Sequence, residues 1–155
     1  MVNIVRKNHG KVIVNEVTTG IGRTGKWFGY HHYDIEPDMV AIGKGIGNGY
    51  PVSVAAMNQT TLQELEVKTP FKYVQSHQND PLGAAIVKEV IQVIHDENLI
   101  SNAETNGPKF LSQLQSLVDH NTLLDVRGRG LMLAVDLADE EVGNEIFSEL
   151  IDQGY

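Results

Sequence analysis

The chain has 155 residues, enough for one folded domain or for one domain and part of another. Its formal net charge is −8 and it has no basic run, which argues against nucleic acid or an anionic membrane surface as a partner. It has no cysteine, so disulfides and thiolate metal sites are excluded. No apolar run has the length of a signal peptide or a membrane span, and we therefore expect a cytoplasmic protein.

Three short apolar runs in the first half of the chain predict the strands of a mostly parallel sheet. Residues 11–17 are β-branched and almost all apolar, as in a strand that is buried on both faces. Residues 38–42 and 52–57 are two further candidate strands. A glycine-rich loop at residues 20–29 follows the first strand, and residues 60–67 predict a short helix.

The second half of the chain predicts three helices and a hairpin. Asp80 is a good N-cap and Pro81 a good first helical residue, so a helix should begin there and run to about residue 98. A second helix should follow Pro108, and strands at 123–126 and 131–137 should be joined by a turn at 127–130. The last expected element is an amphipathic helix at 139–152, whose inward-facing residues would be Val142, Ile146, Leu150 and Ile151.

These elements predict an α/β fold with a boundary after the helix that begins at Asp80. Residues 1–97 would belong to a large domain with a mostly parallel sheet, and residues 98–155 would begin a smaller α+β domain. The sequence begins only a few residues before a strand that should be buried, and it ends where a further strand should follow. A buried parallel strand needs neighbouring strands, and too few are present here, so we expect a fragment of a larger protein.

Lys44 is the strongest candidate for a reactive side chain. It lies in a glycine-rich loop, residues 41–51, between two of the apolar runs. A lysine at the end of a buried strand is unusual unless it is paired or reactive, and a lysine amine can form a Schiff base with a carbonyl. Taken in isolation, Lys44 would be read as a solvated loop lysine.

Four segments, in the same order along the chain, resemble segments of the class III pyridoxal-phosphate (PLP) dependent aminotransferases. This family has fold type I and includes acetylornithine, ornithine and 4-aminobutyrate aminotransferases. The four segments are residues 14–25 (Val-Asn-Glu-Val-Thr-Thr-Gly-Ile-Gly-Arg-Thr-Gly), 33–45 (ending Gly-Lys-Gly), 75–82 (Gln-Ser-His-Gln-Asn-Asp-Pro-Leu) and 126–132 (Val-Arg-Gly-Arg-Gly-Leu-Met). The resemblance implies PLP as cofactor, a homodimer, and transfer of an amino group between an amino-acid donor and a 2-oxo acid.

The resemblance also implies roles for individual residues. Lys44 matches the Schiff-base lysine, which also shuttles the proton of the substrate's α-carbon. Val17 matches the aliphatic residue that packs on the pyridine ring of the cofactor. Ser76 matches the hydroxyl residue that reaches the cofactor phosphate in the neighbouring subunit, a suitable donor for a phosphate oxygen.

Two positions depart from the family pattern. The family has aspartate where this chain has Asn15, and that carboxylate keeps the pyridine nitrogen protonated so that the ring can withdraw electrons. A neutral amide can hydrogen-bond the nitrogen but cannot stabilise its positive charge, and Glu16 faces the other side of the strand. Thr18 stands where the family often has a glutamine that reaches the phenolic oxygen of the cofactor.

Other interpretations remain open beside this one. Asn15 motivates a PLP-fold protein without transaminase activity, either epimerase-like or inactive, and the chain could instead be a non-catalytic interaction domain. Residues 20–27 nearly fit a P-loop, but Trp27 replaces the hydroxyl that would bind Mg²⁺. His31 and His32 are adjacent, and adjacent histidines rarely converge on one metal ion.

The resemblance finally implies parts that lie outside these residues. The family's phosphate-binding loop is upstream, and the arginine that commonly binds the substrate carboxylate is far downstream. We therefore expect this chain alone to bind PLP weakly and to be inactive by itself.

Overall fold

The computed structural model describes residues 1–68 and 78–155. The described residues form helices and strands in both halves of the chain, with two short 3₁₀ turns at Gly29–His32 and Lys44–Ile46. In chain order the elements are α1 (Val2–Lys7), β1 (Ile13–Asn15), β2 (Met39–Ile42), β3 (Val54–Met57), α2 (Gln59–Lys68), α3 (Pro81–Asp96), α4 (Leu99–Gln115), β4 (Leu123–Arg129), β5 (Met132–Leu137) and α5 (Glu140–Asp152).

The first half of the chain forms a three-stranded sheet in the order β1-β2-β3. β1 and β2 are parallel, with Asn15 opposite Ala41, which confirms the predicted parallel pairing of the first two strands. β3 runs antiparallel to β2, so the described sheet is mixed, although the overall α/β class is as expected. The antiparallel step requires the chain to turn back after β2, and the loop that makes this turn carries Lys44.

The predicted burial of the first strand on both faces is wrong. Ile13 is 66% exposed, and only Ile13 to Asn15 pair with a neighbour. Among the described residues, β1 pairs with another strand on one side only. The most buried residue of this segment is instead Glu16, which is 1% exposed.

Helix α3 begins as the sequence predicts. The Asp80 side chain accepts hydrogen bonds from the backbone N–H groups of Leu82, at 3.1 Å, and Gly83, at 3.2 Å. Its Oδ2 also accepts from the Tyr50 hydroxyl at 2.7 Å. The cap thus links the start of α3 to the loop that follows Lys44.

The predicted start of the next helix after Pro108 is wrong. α4 begins at Leu99 and runs through Pro108 to Gln115. A proline in a helix interior is normally unfavourable because it has no N–H to donate and crowds the preceding turn. The residue before it, Gly107, lies directly against the backbone of Gly130.

The hairpin also differs from the prediction, because its turn has fewer residues than the predicted turn at 127–130 and lies further along the chain. β4 continues to Arg129 and pairs with β5 up to Met132, which leaves Gly130 and Leu131 as a two-residue turn. Gly130 has a φ of +57°, a left-handed conformation that suits glycine. Arg127 therefore lies in a strand, where its guanidinium contacts the carboxylates of Asp125 and Asp136.

Helix α5 forms where the sequence predicts a helix but does not bury its predicted face. The Asp139 carboxylate accepts from the Val142 N–H at 2.9 Å. Leu150 is 45% exposed and Ile151 is 54% exposed, so the inward packing predicted for them is wrong within the described residues. An amphipathic pattern shows which face of a helix is apolar, but not whether a neighbour covers that face.

The buried interior is small and lies where α4 packs on β4 and around the Lys44 loop. Its most buried apolar side chains are Ile42, Ile46, Ala103 and Val126. None of the helices in residues 1–68 and 78–155 is both long and apolar enough to cross a membrane.

Candidate active site

The candidate site lies at the carboxyl ends of the parallel strands β1 and β2. These ends are adjacent, because parallel strands run in the same direction, and ligands commonly bind at such an edge. Thr18 lies just beyond β1 and Lys44 just beyond β2. The Lys44 ammonium donates a hydrogen bond to the Thr18 hydroxyl, with 2.8 Å between Nζ and Oγ1. Two residues that are far apart in the sequence, and that it singled out separately, therefore meet here.

The backbone of Lys44 is held in an unusual conformation. Its φ is +47°, in the left-handed region, at the start of the 3₁₀ turn that ends at Ile46. The Ile46 N–H donates to the Gly43 carbonyl at 3.2 Å, and the Ile46 side chain is only 3% exposed. A non-glycine residue in this conformation costs free energy and persists only where its surroundings enforce it, which is frequent at functional sites.

Val17 packs beside the backbone that carries Lys44. A methyl group placed on Gly43 would lie 3.4 Å from the Val17 Cγ1 atom, which is ordinary van der Waals contact. Val17 is half-buried, so part of its apolar surface remains open. That exposed apolar surface suits the packing of an aromatic ring next to Lys44.

Asn15 is the last residue of β1 and its side chain is exposed. Its Oδ1 atom accepts a hydrogen bond from the Val17 N–H at 3.1 Å. This Asx-type contact holds the Asn15 side chain against the start of the loop that contains Val17 and Thr18.

Glu16 is a structural residue that the sequence reasoning did not assign to the site. Its carboxylate accepts from the Thr19 hydroxyl at 2.6 Å, from the Gly29 N–H at 2.9 Å and from the Tyr30 N–H at 2.8 Å. Burial, and to a lesser degree the Glu16 charge, raise the pKa of the Tyr30 phenol. The sequence does contain a signal for this role, since Glu16 directly follows an apolar strand. A carboxylate buried at such a position must be hydrogen-bonded.

His32 closes the same loop on its other side. Its Nε2 atom lies 3.1 Å from the Thr24 hydroxyl and 3.2 Å from the Thr24 carbonyl oxygen. Burial is the main cause that lowers the pKa of the His32 imidazole, and the nearby charges of Arg129 and Lys26 lower it further. Within the described parts of the chain, no three His, Asp or Glu side chains are grouped so that they could hold a metal ion.

The remaining predicted site residue, Ser76, lies outside the described residues. Of the five residues named from the sequence, the structure therefore places four at one edge of the sheet. Their chemistry fits PLP: the Lys44 amine suits its aldehyde, Val17 suits a ring face, and the amide of Asn15 can form a hydrogen bond with a ring nitrogen.

Comparison with known proteins agrees with the resemblance seen in the sequence. The family model described as "Aminotransferase class-III" matches residues 1–155. An acetylornithine aminotransferase from Bifidobacterium longum is 39% identical over 84% of this chain and 30% of its own length. An ornithine aminotransferase from Plasmodium yoelii yoelii is 37% identical over 90% of this chain and 34% of its own length.

Solved structures show the same similarity in three dimensions. The crystal structure of a Bacillus anthracis aminotransferase superposes with a TM-score of 0.84 and is 29% identical, covering 97% of this chain and 36% of that one. This chain thus spans about a third of the length of the curated relatives it matches.

Proposed function

The chain belongs to the class III aminotransferase family, and from that premise we propose that it carries the lysine-bearing part of a PLP-dependent aminotransferase. The observation that supports the proposal best is the contact between Lys44 and Thr18, with Val17 and Asn15 on the same strand end. The reaction would transfer an amino group between an amino-acid donor and a 2-oxo acid.

Each residue of the site has a distinct task in this proposal. Lys44 would hold PLP through its ε-amine, and its Nζ would take up and return the proton of the substrate's α-carbon. Thr18 orients that amine through the observed hydrogen bond. Val17 would pack against one face of the cofactor ring, and Asn15 would lie beside the ring nitrogen. PLP, when bound, supplies the electron sink that makes the α-proton removable.

The wider assembly belongs to the proposal as well. We propose that residues 1–97 are the later part of the large PLP-binding domain and that residues 98–155 begin the small domain. Ser76 would contact the cofactor phosphate of the neighbouring subunit in a cytoplasmic homodimer. Residues beyond this chain would complete the phosphate and substrate contacts, so the chain by itself should be inactive.

Asn15 supports a second candidate function, a PLP-fold protein without transaminase activity. Such a protein would be epimerase-like or inactive, because no carboxylate at this position stabilises a protonated ring nitrogen. A non-catalytic interaction domain is a further alternative, and it predicts that Lys44 behaves like any other lysine.

Reductive trapping tests the proposal. The chain, and in parallel the longest product of its gene, is mixed with PLP, reduced with borohydride, digested and analysed by mass spectrometry. We expect the pyridoxyl label on Lys44 well above the level on Lys26, an exposed lysine of the same chain. Equal labelling of both lysines in both proteins would contradict the proposal and favour the interaction domain.

A further inference from the structure

We propose that Asn15 donates a hydrogen bond from its amide Nδ2 to the ring nitrogen of PLP and thereby keeps that nitrogen unprotonated. This inference rests on the proposed function, since it needs PLP in the site and Asn15 beside the ring. It adds the protonation state of the cofactor, which the family resemblance does not give for this chain.

The direction of the Asn15 amide follows from its hydrogen bond within the chain. The Val17 N–H can bond only to an acceptor, and it donates to the Asn15 side chain at 3.1 Å. The oxygen Oδ1 is the acceptor of that amide, so it must face Val17. The NH₂ group therefore points the other way, and among the described residues it has no hydrogen-bond partner.

An aspartate in the same position would present the opposite chemistry. One carboxylate oxygen would still accept from the Val17 N–H, and the other would be a second acceptor. An acceptor pairs with a protonated ring nitrogen, which is a donor. The Asn15 NH₂ is a donor, so it pairs with the lone pair of an unprotonated nitrogen and opposes its protonation.

The other charged groups near this strand do not replace the missing carboxylate. Glu16 is 1% exposed, and its oxygens already accept hydrogen bonds from Thr19, Gly29 and Tyr30. The Glu16 carboxylate is thus committed to its own loop and does not supply the charge that Asn15 lacks.

The experiment is ¹⁵N NMR of PLP labelled at the ring nitrogen, bound to the longest product of the gene. The matched variant is Asn15→Asp, which keeps the acceptor for Val17 and hence the local fold. We expect the wild-type signal at the position of a neutral pyridine, and a shift upfield to the pyridinium position in Asn15→Asp. The control Asn144→Asp, an exposed position on α5, should leave the signal unchanged.

The outcomes separate this inference from the proposed function. A pyridinium signal in the wild type, with label still trapped on Lys44, would overturn the inference and leave the proposed function intact. Identical neutral signals in wild type and Asn15→Asp would show that Asn15 does not set the protonation state, which also overturns it. No bound signal and no trapping on Lys44 would overturn both.

Discussion

At the scale of single residues, the segment just after β1 holds both the candidate site residues and a buried carboxylate. Asn15 ends β1 and its side chain is exposed, whereas Val17 is half-buried and Glu16 is buried. Thr18 bonds to Lys44, and Val17 lies beside the backbone of Gly43. The Glu16 carboxylate accepts three hydrogen bonds that fix the loop running to Tyr30.

Replacement of Glu16 by glutamine should destabilise the fold although the shape hardly changes. The glutamine NH₂ would face at least one of the donors that now bond to the carboxylate, and a buried donor left without a partner costs about 1–3 kcal/mol. Urea unfolding should show a loss of that size. The exposed control Glu97→Gln should change stability little, and equal small effects in both variants would contradict the assigned role.

Thr18→Val removes the hydrogen-bond acceptor of Lys44 while it preserves the shape of the side chain. A hydrogen bond of this kind contributes about 0.5–1.5 kcal/mol, which corresponds to a factor of about two to ten. We expect reductive trapping of PLP on Lys44 to slow by that factor, measured by mass spectrometry over time. Thr60→Val, at an exposed position in α2, is the control, and an unchanged rate in Thr18→Val would rule out an orienting role.

At the scale of elements, several helices and strands are positioned by side chains that bond to their first backbone N–H groups. Asp80 caps α3, as the sequence predicts, and Asp139 caps α5. Asp119 performs a similar task in the turn before β4, where its Oδ1 accepts from the N–H groups of Asn121, Thr122 and Leu123. These three bonds lower the pKa of Asp119 from 3.8 to about 2.

The Asp119 turn should give the protein a measurable acid sensitivity. Because folding lowers the pKa, the charged carboxylate stabilises the fold fully above about pH 4, and that contribution disappears as the pH falls towards 2. Asp119→Asn has no charge to lose. Its stability deficit relative to the wild type should therefore be largest near pH 5 and shrink by pH 2.5, as measured by urea unfolding.

The exposed Asp152→Asn variant is the control for this titration, since no hydrogen bond to its carboxylate is formed among the described residues. A deficit of Asp119→Asn that stays constant between pH 5 and pH 2.5 would contradict the hydrogen-bonded role of the charged form.

At the scale of the whole molecule, three distant backbone segments meet at one point. Gly107 of α4 lies against Gly130 of the hairpin turn, and Gly130 lies against the backbone of Thr24 in the loop after β1. The Leu131 N–H also donates to the Arg23 carbonyl at 2.9 Å. The hairpin is thereby attached to the loop that leads out of the candidate site.

Gly107→Ala should break this contact. The added methyl group would overlap the Gly130 carbonyl, so one of the two backbones would have to shift. We expect a net loss of about 1–3 kcal/mol in urea unfolding, although alanine by itself favours a helix. Gly143→Ala, in α5, is the control, because its methyl group would lie at an ordinary 3.5 Å from Leu137 and should hold or raise stability. Equal effects would mean that the glycine contact is unimportant.

The sequence by itself determined the family, the α/β class, the parallel pairing of β1 with β2 and the Asp80 cap of α3. These features depend on local rules: apolar runs, capping residues and a glycine-rich loop with a single lysine. The resemblance of four segments added roles that composition and periodicity could not give.

The tertiary structure alone decided the features that depend on contacts between distant segments. α4 passes through Pro108, and Gly107 packs on Gly130, a contact that no local pattern in the sequence shows. The hydrogen bonds of Glu16 and the contact of Lys44 with Thr18 join residues that are separated in the sequence. Their spacing does not predict these contacts. The orientation of the Asn15 amide was decided in the same way, since it depends on where the backbone places the Val17 N–H.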